Sequence, residues 1–178
     1  ITPSDRIDRS KPVHFINYND ENRFYINYDK LNDNNVIWRT DFKPIPGKIY
    51  FSKNEIINAE NIIKNANSYW LKNRNIKHKG VIFFESFSTK QNHEFYSNKM
   101  HNKNWGEENW KKLIKKLKDK YLIIQSVHEA ASKLDGVYYS EKEFDFRTAC
   151  AVINSCDMYL GNEGGFGHAA AALNKKAL

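Results

Sequence analysis

Three short strand-like runs, apolar but for one leading Asp, constrain this chain more than anything else in it: Val81-Ile82-Phe83-Phe84, Tyr121-Leu122-Ile123-Ile124 and Asp157-Met158-Tyr159-Leu160. A half-exposed strand alternates apolar and polar residues, whereas a run apolar at successive positions is a strand covered on both faces. Helical patterns fill the gaps. Trp110, Leu113, Ile114 and Leu117 recur at i, i+3, i+4 and i+7, with lysines on the opposite face. Upstream, Ile56, Ala59, Ile63, Ala66 and Trp70 stripe another helix, begun by Ser52 with Glu55 at capping-box spacing. A further strand, Val137-Tyr138-Tyr139, precedes a helix carrying Phe146, Ala149, Val152 and Ile153, and an alanine-rich helix follows Leu160. This alternation predicts an α/β fold, a doubly wound parallel sheet with helices on both faces. Ligands of such sheets bind beyond the C-terminal ends of the strands, so the loops after 81–84, 121–124 and 157–160 should share one rim.

Residues 1–47 read differently. They are polar and rich in Asn and Asp, with candidate strands at 23–28 and 36–38, and Pro44, Pro46 and Gly47 punctuate their end. This stretch is expected to be a linker or the remnant of a preceding domain, leaving 48–178 as the α/β unit, with Ile49-Tyr50-Phe51 short and extended. The start shows no signal peptide, and the chain stops after Lys175-Lys176-Ala177-Leu178, where another strand would be expected to follow. It therefore reads as truncated and cytoplasmic. Of its 178 residues 40% are hydrophobic and 14% aromatic, enough for a globular core. No apolar run approaches the roughly 20 residues of a membrane span. The formal charge of +7 favours anionic ligands or membrane headgroups. Lysines are scattered over several elements without a nucleic-acid motif, which argues against nucleic acid as a partner. Cys150 and Cys156 match no metal or redox spacing and read as reduced, structural thiols.

The residues most open to chemistry follow the last apolar strand: Gly161-Asn162-Glu163-Gly164-Gly165-Phe166-Gly167-His168, leading into Ala169-Ala170-Ala171-Ala172. Glycines let a backbone pass close to a ligand, and a helix start offers unpaired N–H groups and the positive end of its dipole. A diphosphate suits such a place, with His168 in the first turn. A tight corner and nothing more is the other reading, since neither a dinucleotide fingerprint nor a P-loop is spelled out. The polar stretch from Glu85 to Asn104 is too long for a mere connector.

Taken in order, Lys103-Asn104-Trp105, Glu107, Trp110, the amphipathic helix, Tyr121-Leu122-Ile123-Ile124, Phe146-Arg147 and Asp157 to Ala171 resemble the C-terminal half of glycosyltransferase family nine, the heptosyltransferase-like enzymes of bacterial surface polysaccharide synthesis. The similarity runs over about 48–178 and is strongest over 101–178. It implies a GT-B enzyme of two Rossmann-like domains, the N-terminal one for acceptor and the C-terminal one for the nucleotide-sugar donor. The family works without bound metal or other cofactor, so a lysine before the Trp motif and the glycine turn stabilise the diphosphate leaving group. On this chain those are Lys103 and Glu163, Gly164, Gly165, Phe166, Gly167 and His168. Ser86, Ser88, Thr89 and Lys90 stand where the family keeps small or hydroxyl residues near phosphate. Glu129, after the strand at 121–124, has a place suited to a ribose hydroxyl, an exposed surface Glu being the other reading. A glycan or glycolipid acceptor, inversion at the anomeric carbon and peripheral contact with the inner membrane are further implications.

The departures are specific. Glu163-Gly164-Gly165 replaces the family's Asp-Thr/Ser-Gly, which removes a hydroxyl donor and lengthens the acid, and Glu85 is an awkward neighbour for a diphosphate. The family's general base is an Asp early in the N-terminal domain, so residues 48–178 alone are expected to bind donor without turning it over. A binding module without catalysis, or another α/β phospholigand enzyme, would also fit these residues. Trp105 and Trp110 read as core anchors and Arg147 as a partner of Asp145, while His93, His101 and His128 lack ligand spacing.

Overall fold

A computed structural model describes residues 28–32, 35–38, 47–86, 105–127 and 133–178 of the chain. The chain divides into two compact units, Ile1–Pro46 and Gly47–Leu178. In the first, β1 (Tyr28–Asn32) and β2 (Asn35–Trp38) pair antiparallel, with Tyr28 opposite Trp38. The expected strand at 23–28 lies outside the described residues except for Tyr28, where β1 begins.

In the second unit the elements run α1 (Lys53–Arg74), β3 (Gly80–Glu85), α2 (Glu107–Leu117), β4 (Tyr121–Gln125), β5 (Tyr138–Tyr139), α3 (Phe146–Ser155), β6 (Met158–Gly161), α4 (Gly165–Ala172) and β7 (Lys176–Ala177). The five strands form one sheet in the order β5-β4-β3-β6-β7, every neighbouring pair parallel. This is the expected doubly wound α/β architecture, and the order places β3, the longest strand of the sheet, at the centre.

The double-sided burial read from the strands is realised residue by residue. Ile82 and Phe84 of β3 pack with Ile123 and Leu160 against Trp110 and Ile114 of α2. Phe83 and Tyr159 point the other way, into a cluster with Ala59 of α1, Ala149 and Val152 of α3 and Ala170 of α4. Leu122 and Ile124 meet Ala66 and Trp70, farther along α1. Small residues let α1, α3 and α4 lie close to the sheet, and the aromatic residues fill what remains.

Helix starts follow their side chains. Ser52 Oγ accepts from the Glu55 N–H at 3.3 Å, and Glu55 Oε2 accepts from the Ser52 N–H at 2.7 Å, which completes the capping box. Asn75 ends α1 in the left-handed region, φ 52°. Asp145 caps α3 by accepting from the Thr148 N–H at 2.6 Å.

The segment Ile49-Tyr50-Phe51 joins no sheet, and Phe51 packs against the α1–α3–α4 cluster. One expectation needs correction. The residues after Asn174 were expected to precede a strand, but they are one: β7 pairs with β6, and the Leu178 N–H donates to the Tyr159 carbonyl at 3.1 Å. Both β7 residues are exposed, one of them a lysine, so no apolar pattern marked them.

Both cysteines are free and buried. Burial pushes the Cys150 thiol up to about 11 and the Cys156 thiol up to about 12. Neither should react with Ellman's reagent near neutral pH until the protein is unfolded in guanidinium, and a fast-reacting native thiol would contradict the packing. Where β6 passes β3, a Cβ on Gly161 would fall 2.4 Å from the Glu85 carbonyl oxygen and 2.6 Å from the Tyr159 hydroxyl. Gly161→Ala should therefore lower stability by about 1–3 kcal/mol in urea unfolding.

Candidate functional site

The strand order creates a crevice. From β3 the chain leaves through α2 towards β4 on one side, and from its neighbour β6 it leaves through α4 towards β7 on the other. The two loops therefore part at the C-terminal ends of adjacent strands, the switch point where open α/β sheets receive ligands.

Asn162, buried at 8% exposure, ties this point together. Its N–H donates to the Glu85 carbonyl at 3.1 Å and its Nδ2 to the Ser86 carbonyl at 2.7 Å. Its own carbonyl accepts from the Tyr159 hydroxyl at 3.0 Å. The exits of β3 and β6 are thus bound to each other before the glycine turn begins.

The turn then opens into α4. The first bond of that helix runs from the His168 N–H to the Gly164 carbonyl at 3.2 Å. The N–H groups of Gly165, Phe166 and Gly167 precede it and have no acceptor within the helix. No side chain caps this start. Gly164 is fully extended, at φ 175°, and an added Cβ there would meet nothing within 4 Å. At Gly165 and Gly167 a Cβ would make only ordinary contacts, 3.5 Å from Phe146 and 3.7 Å from Tyr159. The fold therefore needs glycine at 161 but not at 164, 165 or 167. His168 is exposed, with Nε2 3.6 Å from Glu163 Oε1.

Phe166 plays a part different from its neighbours'. Its ring stacks on Phe146 at 5.5 Å between centroids and meets Phe83 edge-on at 5.6 Å. Only its backbone N–H is left to face a ligand.

Four polar residues are buried among those described, Gln125, Ser126, Ser140 and Asn162, and all lie at the C-terminal rim. Ser126 Oγ accepts from the Phe144 N–H at 2.8 Å, and Ser140 Oγ accepts from the Val127 N–H at 2.8 Å. Gln125 Nε2 donates to Glu85 Oε1 at 3.2 Å, which draws the Glu85 carboxylate towards β4, while Gln125 Oε1 is buried with no hydrogen-bond partner. The sequence reading passed over this group. Its only signal was a polar residue directly after an apolar run.

Of the residues singled out from the sequence, the structure brings together Glu163, Gly164, Gly165, Phe166, Gly167 and His168, with Ser86 at the neighbouring strand exit. Lys103, Ser88, Thr89, Lys90, Glu129, His93, His101 and His128 lie outside the described residues. Trp110 is the core anchor expected, edge-on to Phe84 at 5.2 Å, but Trp105 is half exposed and rests its edge on Trp110. Arg147 pairs with Glu55 and not with Asp145, whose carboxylate is taken up in capping α3. Among the described residues no three His, Cys, Asp or Glu side chains converge as a metal set, and no helix is long and apolar enough to cross a membrane.

No family model and no curated protein matches this chain. Among solved structures, the E. coli heptosyltransferase WaaC with ADP-2-deoxy-2-fluoro heptose aligns over 62% of this chain at 19% identity and a TM-score of 0.43. The same enzyme with ADP gives 62%, 19% and 0.42. The E. coli ADP-heptose LPS heptosyltransferase II aligns over 79% at 19% identity and 0.45. The aligned part spans 35%, 35% and 39% of those chains.

Because Gly167 has room for a methyl group, Gly167→Ala should keep or raise thermal stability, by up to about 1 kcal/mol. A lower melting temperature would show that the fold does require this glycine.

Proposed function

We propose that residues 47–178 form the donor-binding domain of a GT-B glycosyltransferase of the heptosyltransferase-like kind. The donor is a nucleotide diphosphate sugar, with heptose the first sugar to test, and the acceptor is a cell-surface glycan or glycolipid. The observation that carries this reading is the glycine turn before α4. Three glycines sit where the fold does not ask for them, beside three backbone N–H groups without helical acceptors. Glycine disfavours a helix, by about 1 kcal/mol relative to alanine in its interior, so its repeated use here is explained by a group that must lie against the backbone.

A diphosphate meets that description. As the sugar–phosphate bond breaks, negative charge grows on the diphosphate, and fixed N–H donors at a helix start stabilise it without reorganising. Lys103, four residues ahead of α2 in sequence, is the proposed cation, and His168, exposed in the first turn of α4, adds a second donor. In this reading no metal is needed and the developing charge is met by backbone and side chains alone. Glu163 stands beside His168, with Oε1 3.6 Å from Nε2. The base that activates the acceptor belongs to the acceptor-binding half of such an enzyme. The net charge of +7 draws in both a phosphorylated acceptor and an anionic membrane face.

Calorimetric titration with ADP, GDP, UDP and CDP in the absence of metal tests this. One nucleotide should bind saturably, with Lys103→Ala and His168→Ala each weakening it about tenfold or more, as expected for a charge-assisted hydrogen bond. Gly167→Ala should weaken it as well while leaving the fold intact. Absence of binding by all four, or binding only with added divalent metal, would overturn the reading; the second outcome would favour another phospholigand enzyme.

A further inference from the structure

Outside the rim, a polar cluster of the described residues surrounds Arg147. Its Nε donates to Glu55 Oε1 at 2.6 Å and its Nη2 to Glu55 Oε2 at 3.1 Å, a bidentate pair. The same Nη2 donates to the Tyr50 carbonyl at 2.8 Å, and the guanidinium lies 5.5 Å from the centre of the Phe51 ring. Glu55 Oε2 in turn accepts from both the backbone N–H and the hydroxyl of Ser52, at 2.7 and 2.8 Å. One arginine therefore holds Tyr50, Phe51, Ser52 and Glu55, the segment by which the chain enters this unit just after the boundary at Gly47. The guanidinium, with Ser52 behind it, holds the Glu55 carboxyl down at about 2. An ion pair this exposed adds little to overall stability. Its content is geometric: two forks and a carbonyl fix direction in a way a lone charge would not.

What it fixes lies one residue back. Phe146, next to Arg147 in the first turn of α3, stacks on Phe166 at 5.5 Å with planes 11° apart. Phe166 is the second residue of α4, and Phe146 also flanks Gly165. We propose that Arg147 is a positioning residue, anchoring α3 to the 50–55 segment so that Phe146 holds Phe166 and, with it, the first turn of α4. Its functional consequence rests on the reading of that turn as a diphosphate site: loosening the clamp moves the N–H donors without touching any of them. Arg147 itself contacts no substrate.

The test reads the local order of α4 and the nucleotide separately. Amide hydrogen exchange is measured on the 178-residue chain and on Arg147→Gln, Glu55→Gln and Phe146→Leu. Arg74→Gln is the control, because it breaks another exposed pair, with Asp135 at 2.7 Å. Exchange at His168 and Ala169 should quicken about three- to tenfold in the first three variants, the scale of one aromatic pair. It should stay unchanged in the control, and amides of β3 and β4 should keep wild-type rates. Arg147→Lys, which keeps the charge but not the fork, should behave like Arg147→Gln and serves if the latter fails to fold. Unchanged exchange in α4, or a rise spread evenly over the sheet, would overturn the proposal. ADP titration then separates the two claims. Faster exchange in the clamp variants, with a wild type that binds no nucleotide, would leave the clamp standing and remove the donor site. Binding that ignores every clamp variant, together with unchanged exchange, would remove the clamp alone.

Discussion

Where β6 runs beside β3, a single hydrogen on Gly161 separates its backbone from the Glu85 carbonyl and the Tyr159 hydroxyl. The rest of the rim is built outward from this approach. Asn162 can reach the carbonyls of Glu85 and Ser86 only because the two strands lie this near. That bond in turn sets where Glu163 and Gly164 leave the sheet, and so where α4 starts. The dipole of α4 is aimed by strand packing four residues upstream, before any of its own residues contributes.

The second layer of positioning comes from aromatic rings. Phe83 in the central strand, Phe166 in α4 and Phe146 in α3 form a continuous chain of ring contacts, edge-on at the first and stacked at the second, that crosses from sheet to helix to helix. Aromatic pairs prefer particular geometries, so they carry orientation as well as apolar contact. A helix of eight residues, half of them alanine, could not hold its own place, and it is held by what its one large residue touches.

Much of this was legible in the chain. The strands at 80–85, 121–125 and 158–161 could be read because a strand buried on both faces leaves an unmistakable apolar run, and α2 because its stripe has helical period. The Ser52–Glu55 cap needs only four residues and could be read locally. The partner of Arg147 could not, because Glu55 lies 92 residues away and Asp145 is nearer in sequence. Nor could the four glycines be told apart. In sequence Gly161 and Gly164 are alike, and only the distance to the neighbouring strand shows that one is required by the fold and the other is not. Gln125, Ser126 and Ser140 escaped notice because a polar residue after a strand normally means that the chain has reached water, whereas these three are buried.

That burial divides the unit into two ends with different mutational freedom. The buried polar residues Gln125, Ser126, Ser140 and Asn162 gather at one end of the sheet, and the interior beneath them is aliphatic and aromatic apart from the two buried thiols. Substitutions at the rim exchange one hydrogen-bonding partner for another and leave the core's volume untouched, while substitutions in the core leave the rim's polarity untouched. Selection can therefore act on what the rim recognises and on how well the chain folds as nearly separate traits, so that lineages sharing this core could drift towards different ligands without passing through an unfolded intermediate.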